Sequence, residues 1–157
     1  MGPKVALFAI VAVVLLVIDQ ATKALFVDAT PGTLIAGPFA GLIDIRLVHN
    51  TGGAWGIFSD STFALGIVSI VVCVLIVCYF AYARNTLSWM EVLGLGLVFA
   101  GGIGNAIDRF AQGFVTDFLE FAFIDFPVFN IADCGVTCGF VIFILGIILH
   151  WKALGNE

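Results

Sequence analysis

Asp117 and Asp133 are the residues in this sequence best suited to do chemistry together. Two carboxylates brought close cannot both ionise easily, so they share a proton and titrate as a unit. Such a pair offers a base and an acid at one pH. The ionised member can draw a proton from water, and the protonated member can hydrogen-bond a scissile carbonyl. That is peptide hydrolysis of the aspartic-protease kind, and it uses no nucleophilic side chain. Two other hydrolytic motifs, HExxH of zinc proteases and GxSxG of serine hydrolases, do not occur in the chain. A plainer reading exists for each Asp. Asn130-Ile-Ala-Asp133 fits a helix start, with an N-cap residue followed three positions later by an acid. Asp117-Phe-Leu-Glu120 can likewise open a short helix.

Both residues belong to one stretch, Gly101 to Asp133, which also carries Asn105, Asp108, Arg109, Glu120, Asp125 and Asn130. Long apolar segments flank it. Ionisable groups are costly at membrane depth, so those found there are candidates for function.

The elements that must position the pair are membrane helices. Of 157 residues, 62% are hydrophobic and 11% charged, and the mean hydropathy is +1.18. A soluble domain has about 25% charged residues, so this chain is expected to be a single integral membrane domain over 1–157. The net charge of −5 includes no basic run, which argues against nucleic-acid binding.

Four spans are expected, at about 4–27, 63–82, 89–107 and 131–151. The first also has the look of a secretory signal peptide, a Lys and then an apolar run. No small-x-small cleavage site follows it directly, so an uncleaved helix is preferred. Within it Asp19 and Lys23 lie four apart on one face, the spacing of an ion pair. The connection to the second span holds Ile43-Asp-Ile-Arg-Leu-Val-His49, which alternates like a strand with one apolar face. Asn50-Thr-Gly-Gly-Ala-Trp-Gly-Ile-Phe58 follows, with turn-forming glycines and two aromatics suited to the headgroup zone. A small sheet lying on the membrane fits this region. Thr30-Pro-Gly and Ala36-Gly-Pro mark turns.

The third span is rich in glycine, which permits close helix approach. Its GGxGN string is not a nucleotide loop, because no strand precedes it. Asp108 and Arg109 fit an ordinary helix-end pair. Cys73, Cys78, Cys134 and Cys138 lie in apolar segments without a CxxC pair and read as packing residues. His49 and His150 read as structural or interfacial. Ile131-Ala-Asp-Cys134 faintly resembles a lipobox, but its acid and its depth in the chain argue against one. Four spans put both termini on one side. Lys and Arg divide three against three between the two sides, so the positive-inside rule does not decide orientation.

The ordered set Asp19-x-x-x-Lys23, Val48-His-Asn-Thr-Gly-Gly-Ala-Trp55, Gly101-Gly-Ile-Gly-Asn-Ala-Ile-Asp-Arg109, Val115-Thr-Asp-Phe118 and Phe129-Asn-Ile-Ala-Asp133 resembles the bacterial lipoprotein signal peptidase family, signal peptidase II. The resemblance covers nearly the whole chain. It implies a four-helix, all-α membrane protein with a small extracytoplasmic β-containing region. It implies an aspartic endopeptidase of the bacterial inner membrane that cuts prolipoproteins just before a diacylglyceryl-modified cysteine. Asp117 and Asp133 take the places of the catalytic dyad. Asn50, Gly52, Asn105, Arg109 and Asn130 take places around substrate and dyad, and Asp19 and Lys23 take supporting places. Cytoplasmic termini, a dyad near the outer face, no cofactor, contact with membrane lipids and sensitivity to globomycin-type inhibitors are implied as well. Two positions depart slightly: Cys134, where a small polar residue is expected, and Gly53, where Ala is common. The rival from the residues alone is a small proton-coupled transporter, with carboxylates in short spans. A structural subunit of a membrane complex is a third reading.

Overall fold

The computed structural model describes residues 2–53 and 61–154. Four helices are long and apolar enough to cross a membrane: α1 (Pro3–Ala24), α2 (Thr62–Ala83), α3 (Trp89–Gln112) and α4 (Ile131–Leu154). Three strands, β1 (Leu34–Phe39), β2 (Ile43–Asn50) and β3 (Val115–Phe121), form one antiparallel sheet in the order β1-β2-β3. The chain is therefore a mainly helical membrane protein with a small sheet outside the spans. Trp55 and Phe58, expected at the headgroups, lie outside the described residues.

α3 is the helix the others pack on. In its most apolar stretch 56% of residues are buried, against 17–22% in the other three helices. Small residues make this packing possible. Gly94 of α3 and Gly139 of α4 meet backbone to backbone, so a methyl group on either would collide with the opposite main chain. At the end distant from the sheet, Phe8 of α1 stacks on Phe80 of α2 at 4.5 Å. There Ser88 opens α3 with a reciprocal capping box to Glu91. Buried Glu91 also meets His150 Nδ1 at 3.0 Å, which ties the start of α3 to the end of α4.

The helix bounds differ from the expected spans in two informative places. α1 stops at Ala24, and Leu25 and Val27 project, 78% and 79% exposed. α3 runs past Ile107 to Gln112 and stops at Gly113, whose φ of 79° is the left-handed conformation that ends helices. Asp108 and Arg109 do not end α3, because both are engaged laterally by other elements.

The sheet also corrects the sequence reading. Asp117-Phe-Leu-Glu120 opens no helix; it lies in β3. Val-Thr-Asp-Phe-Leu-Glu-Phe is rich in β-branched and aromatic residues, and β2 supplies a partner strand for it. β1 contains Gly37 and Pro38, which read as a turn. Pro is tolerated there because β1 is an edge strand. The strand expected at Ile43–His49 is present as β2.

Candidate functional site

The site forms where β3, the end of α3 and the start of α4 meet. β3 pairs with β2 across one bulge. Ile45 opposes Leu119 and Val48 opposes Asp117, so β2 spends one extra residue between those pairs. Beyond the bulge Asn50 opposes Val115, which makes Asn50 and Asp117 diagonal neighbours on one face of the sheet. Val115, Asp117 and Phe121 share that face, as strand alternation requires, and all three line a groove of about 400 Å³. The opposite face packs back onto the protein: Phe118 stacks on Phe26 at 4.6 Å.

Asp117 is 1% exposed. Its two oxygens accept from Asn130 Nδ2 at 2.6 Å and Asn50 Nδ2 at 2.9 Å. Asn50 is held in that orientation because its Oδ1 accepts from the Gly52 N–H at 3.0 Å. Burial pushes the Asp117 carboxyl up to about 7, and the charge of Asp133 adds to this, while the two Asn amides oppose it.

Asp133 sits in the first turn of α4, half-buried. Asn105 Nδ2 donates to its Oδ1 at 2.7 Å, and the Asn130 N–H donates to its Oδ2 at 3.1 Å. The Asp133 N–H returns a bond to Asn130 Oδ1 at 2.9 Å. The helix-start reading of Asn130-Ile-Ala-Asp133 is thus correct, and it describes the same atoms that bring Asp133 to the groove. Asn130 joins the two carboxyls directly, by side chain to Asp117 and by backbone to Asp133. Both line the groove with Asn50, Asn105 and Arg109.

Behind this pair lies a second cluster, fully buried. Lys23 Nζ makes 3.0 Å contacts with Asp19 Oδ2, Asp108 Oδ2 and Asn105 Oδ1. Asp19 and Lys23 are therefore the i,i+4 pair their spacing predicts, joined by Asp108. Asp19 Oδ1 accepts the Ala132 N–H of α4 at 2.9 Å, and Asp108 Oδ2 accepts the Thr116 N–H of β3 at 3.1 Å. One cation thus fixes α1, α3, α4 and β3 together. It also sets the direction of the amide chain. With its oxygen on Lys23, Asn105 must present its N–H to Asp133. Gly104 allows this closeness, because a methyl there would strike the Asp19 carboxylate.

Sequence reasoning overlooked Gln20, whose Nε2 reaches Asp19 at 3.1 Å and Asp108 at 3.2 Å. The one signal for it was its place beside Asp19. Asp108 and Arg109 are not a pair. Arg109 Nη1 reaches Ser69 of α2 at 3.5 Å, and its buried Nε has no partner among the described residues. Cys134 and Cys138 line the groove too, and the cysteines of the described residues are free thiols. His49 stacks on Phe114 at 3.7 Å.

The chain is similar to known proteins. Residues 11–149 match the family model for signal peptidase (SPase) II. The lipoprotein signal peptidase of Streptococcus pneumoniae is 32% identical over 145 residues, covering 92% of this chain and 94% of the relative. That of Gloeobacter violaceus is 37% identical, covering 93% and 84%. A solved bacterial membrane enzyme superimposes with a TM-score of 0.82 at 30% identity, over 96% of this chain and 90% of its own. These likenesses favour a peptidase and lend nothing to the transporter reading. The chain belongs to the signal peptidase II family, and it is a multi-pass membrane peptidase.

Proposed function

We propose that this peptidase is of the aspartic type, with Asp117 and Asp133 as its catalytic pair. The observation that carries the reading is their common setting. The two carboxyls face one groove, each held by Asn and backbone donors, and no cation bonds either among the described residues. Such a pair retains one proton near neutral pH. The ionised Asp takes a proton from water, and the resulting hydroxide attacks the scissile carbonyl. The protonated Asp gives its proton to the carbonyl oxygen. Collapse of the tetrahedral intermediate returns a proton to the leaving amine and cleaves the C–N bond.

The substrates are prolipoproteins, cut before the diacylglyceryl-modified cysteine, as the relatives' names and the sequence resemblance imply. The lipidated residue keeps its acyl chains in the bilayer while the peptide lies across the groove. Arg109, whose Nε has no partner among the described residues, donates to substrate carbonyls there. Asn50, Gly52, Asn105 and Asn130 hold the dyad, and Asp19 and Lys23 support it from behind. Phe121, Phe126 and Phe129 pack at the groove edge and cover the bound chain. The chain acts as one membrane domain of the bacterial inner membrane, with cytoplasmic termini and the groove near the outer face. Globomycin-type inhibitors occupy the same groove.

The test is cleavage of a diacylglyceryl-modified prolipoprotein by purified protein in detergent, with and without a chelator. Cleavage before the lipidated cysteine, lost in Asp117→Asn and in Asp133→Asn and indifferent to chelator, is expected. Normal turnover by either folded variant would sink the dyad.

A further inference from the structure

A second pocket lies at the opposite end of the bundle, between the start of α1 and the α2–α3 turn. It measures about 430 Å³ and is lined by Pro3, Lys4, Val5, Arg84, Asn85 and Trp89. Two of these are cations from different elements. Lys4 Nζ donates to the Asn85 carbonyl at 3.3 Å, which leaves most of its donor capacity free. The exposed Arg84 side chain has no hydrogen bond or ion pair among the described residues. The acid at this end of the described helices, Glu91, is buried and already engaged by Ser88 and His150. Among the described residues the pocket is therefore positive and uncompensated.

Its other features place it at headgroup level. Trp89 is 53% exposed at the first position of α3, where an indole has apolar contact on one side and water on the other. Gly2 caps α1 without a side-chain hydrogen bond, so the first backbone N–H groups of α1, near Lys4 and Val5, lack a side-chain acceptor. α1 and α2 are apolar lengthwise and exposed along most of their surface, so hydrocarbon chains lie directly beside the pocket.

We propose that this pocket binds the headgroup of an anionic phospholipid, with the phosphodiester between Lys4 and Arg84. Basic pockets between membrane helices are suited to such headgroups, because each Lys or Arg near the surface attracts anionic lipid. The lipid would add a polar link between α1 and the α2–α3 turn, beside the Lys4–Asn85 bond and the apolar cluster that holds Phe8, Phe80 and Leu87. The site is remote from the dyad, so its role is to hold the bundle rather than to take part in cleavage.

The test uses delipidated full-length protein in neutral detergent, with native mass spectrometry against phosphatidylglycerol and phosphatidylcholine. Wild type should retain phosphatidylglycerol preferentially and gain thermal stability from it. Lys4→Gln/Arg84→Gln should lose roughly 30-fold in retention, the effect of two basic residues near the surface, and should lose the thermal gain. Lys152→Gln, at the same end but outside the pocket, should behave as wild type. Arg84→Gln alone keeps the Lys4–Asn85 bond and serves if the double variant folds poorly; it should lose part of the retention. Both variants should cleave substrate in detergent at the wild-type rate. Equal retention of the two lipids, or undiminished phosphatidylglycerol binding by the variants, would overturn the proposal. So would displacement of the lipid by an equal concentration of soluble glycerol phosphate, which would mark a site for free phosphate.

Discussion

Four aspartates gather at one end of this molecule, and they fall into two pairs that are solvated differently. Asp19 and Asp108 share the Lys23 ammonium and two backbone N–H groups. Among the described residues, Asp117 and Asp133 receive amide and backbone donors only. Asn105 is the boundary: its oxygen faces the cation and its nitrogen faces Asp133. The first pair has a cation between its carboxylates and serves as a clamp. The second has no cation bonded to it among the described residues, and burial together with the charge of Asp133 leaves a proton available to Asp117. The same residue type thus does two jobs, decided by whether a cation sits beside it.

The largest effect should come from the uncompensated pair. Asp117→Asn or Asp133→Asn should abolish cleavage with the helical circular dichroism unchanged, because Asn fits the site but cannot cycle a proton. Lys23→Met should act in the other currency, folding. It leaves two buried carboxylates without their cation, a loss of about 3–5 kcal/mol when one partner of a buried pair is removed. Thermal unfolding in detergent would measure it, and a wild-type melting curve would show that the clamp is not needed.

Asn130→Ala should lie between these. The cap is worth about 1 kcal/mol, and loss of a donor aimed at a reacting group costs roughly 100-fold or more in kcat. A drop in stability without a drop in kcat would make Asn130 a cap only. The pH dependence sharpens the contrast further. The Asp117 carboxyl is raised from 3.8 to about 7 in the folded protein. The folded state therefore binds the extra proton between those values, and its contribution to stability is lost as pH rises through that window. Cleavage should decline above about 7 as the shared proton departs, and Asp117→Asn should flatten the stability slope. The smallest effect is expected at the sheet rim. Arg46→Gln breaks the partly exposed Arg46–Glu120 pair, seen at 2.6 Å, and cleavage should stay within about twofold because such pairs contribute little.

Much of this was legible in the sequence, for different physical reasons. The helices announced themselves by apolar length. The Asp19–Lys23 pair followed from i,i+4 spacing, and the α4 cap from Asn130-Ile-Ala-Asp133. Asp108 misled, because its sequence neighbour is Arg109 while its partner, Lys23, is on another helix. β3 was hidden because its pairing is with β2, far away in sequence, and two acids in a short segment look like a helix start. β1 was hidden by Gly37 and Pro38, which an edge strand tolerates and a central one does not. Local spacing reveals contacts within an element; the groove is made of contacts between elements.

The α4 cap has one further consequence. Asp133 is simultaneously the third residue of a helix and half of the proposed dyad, and the reciprocal Asn130–Asp133 bonds serve both. Helix ends are the first parts of a helix to fray. A chain that has begun to loosen at the tip of α4 would already have lost its chemistry while its four spans remained intact. The enzyme would fall silent before it melts, and a partly damaged copy in the membrane would be inert rather than an unselective protease.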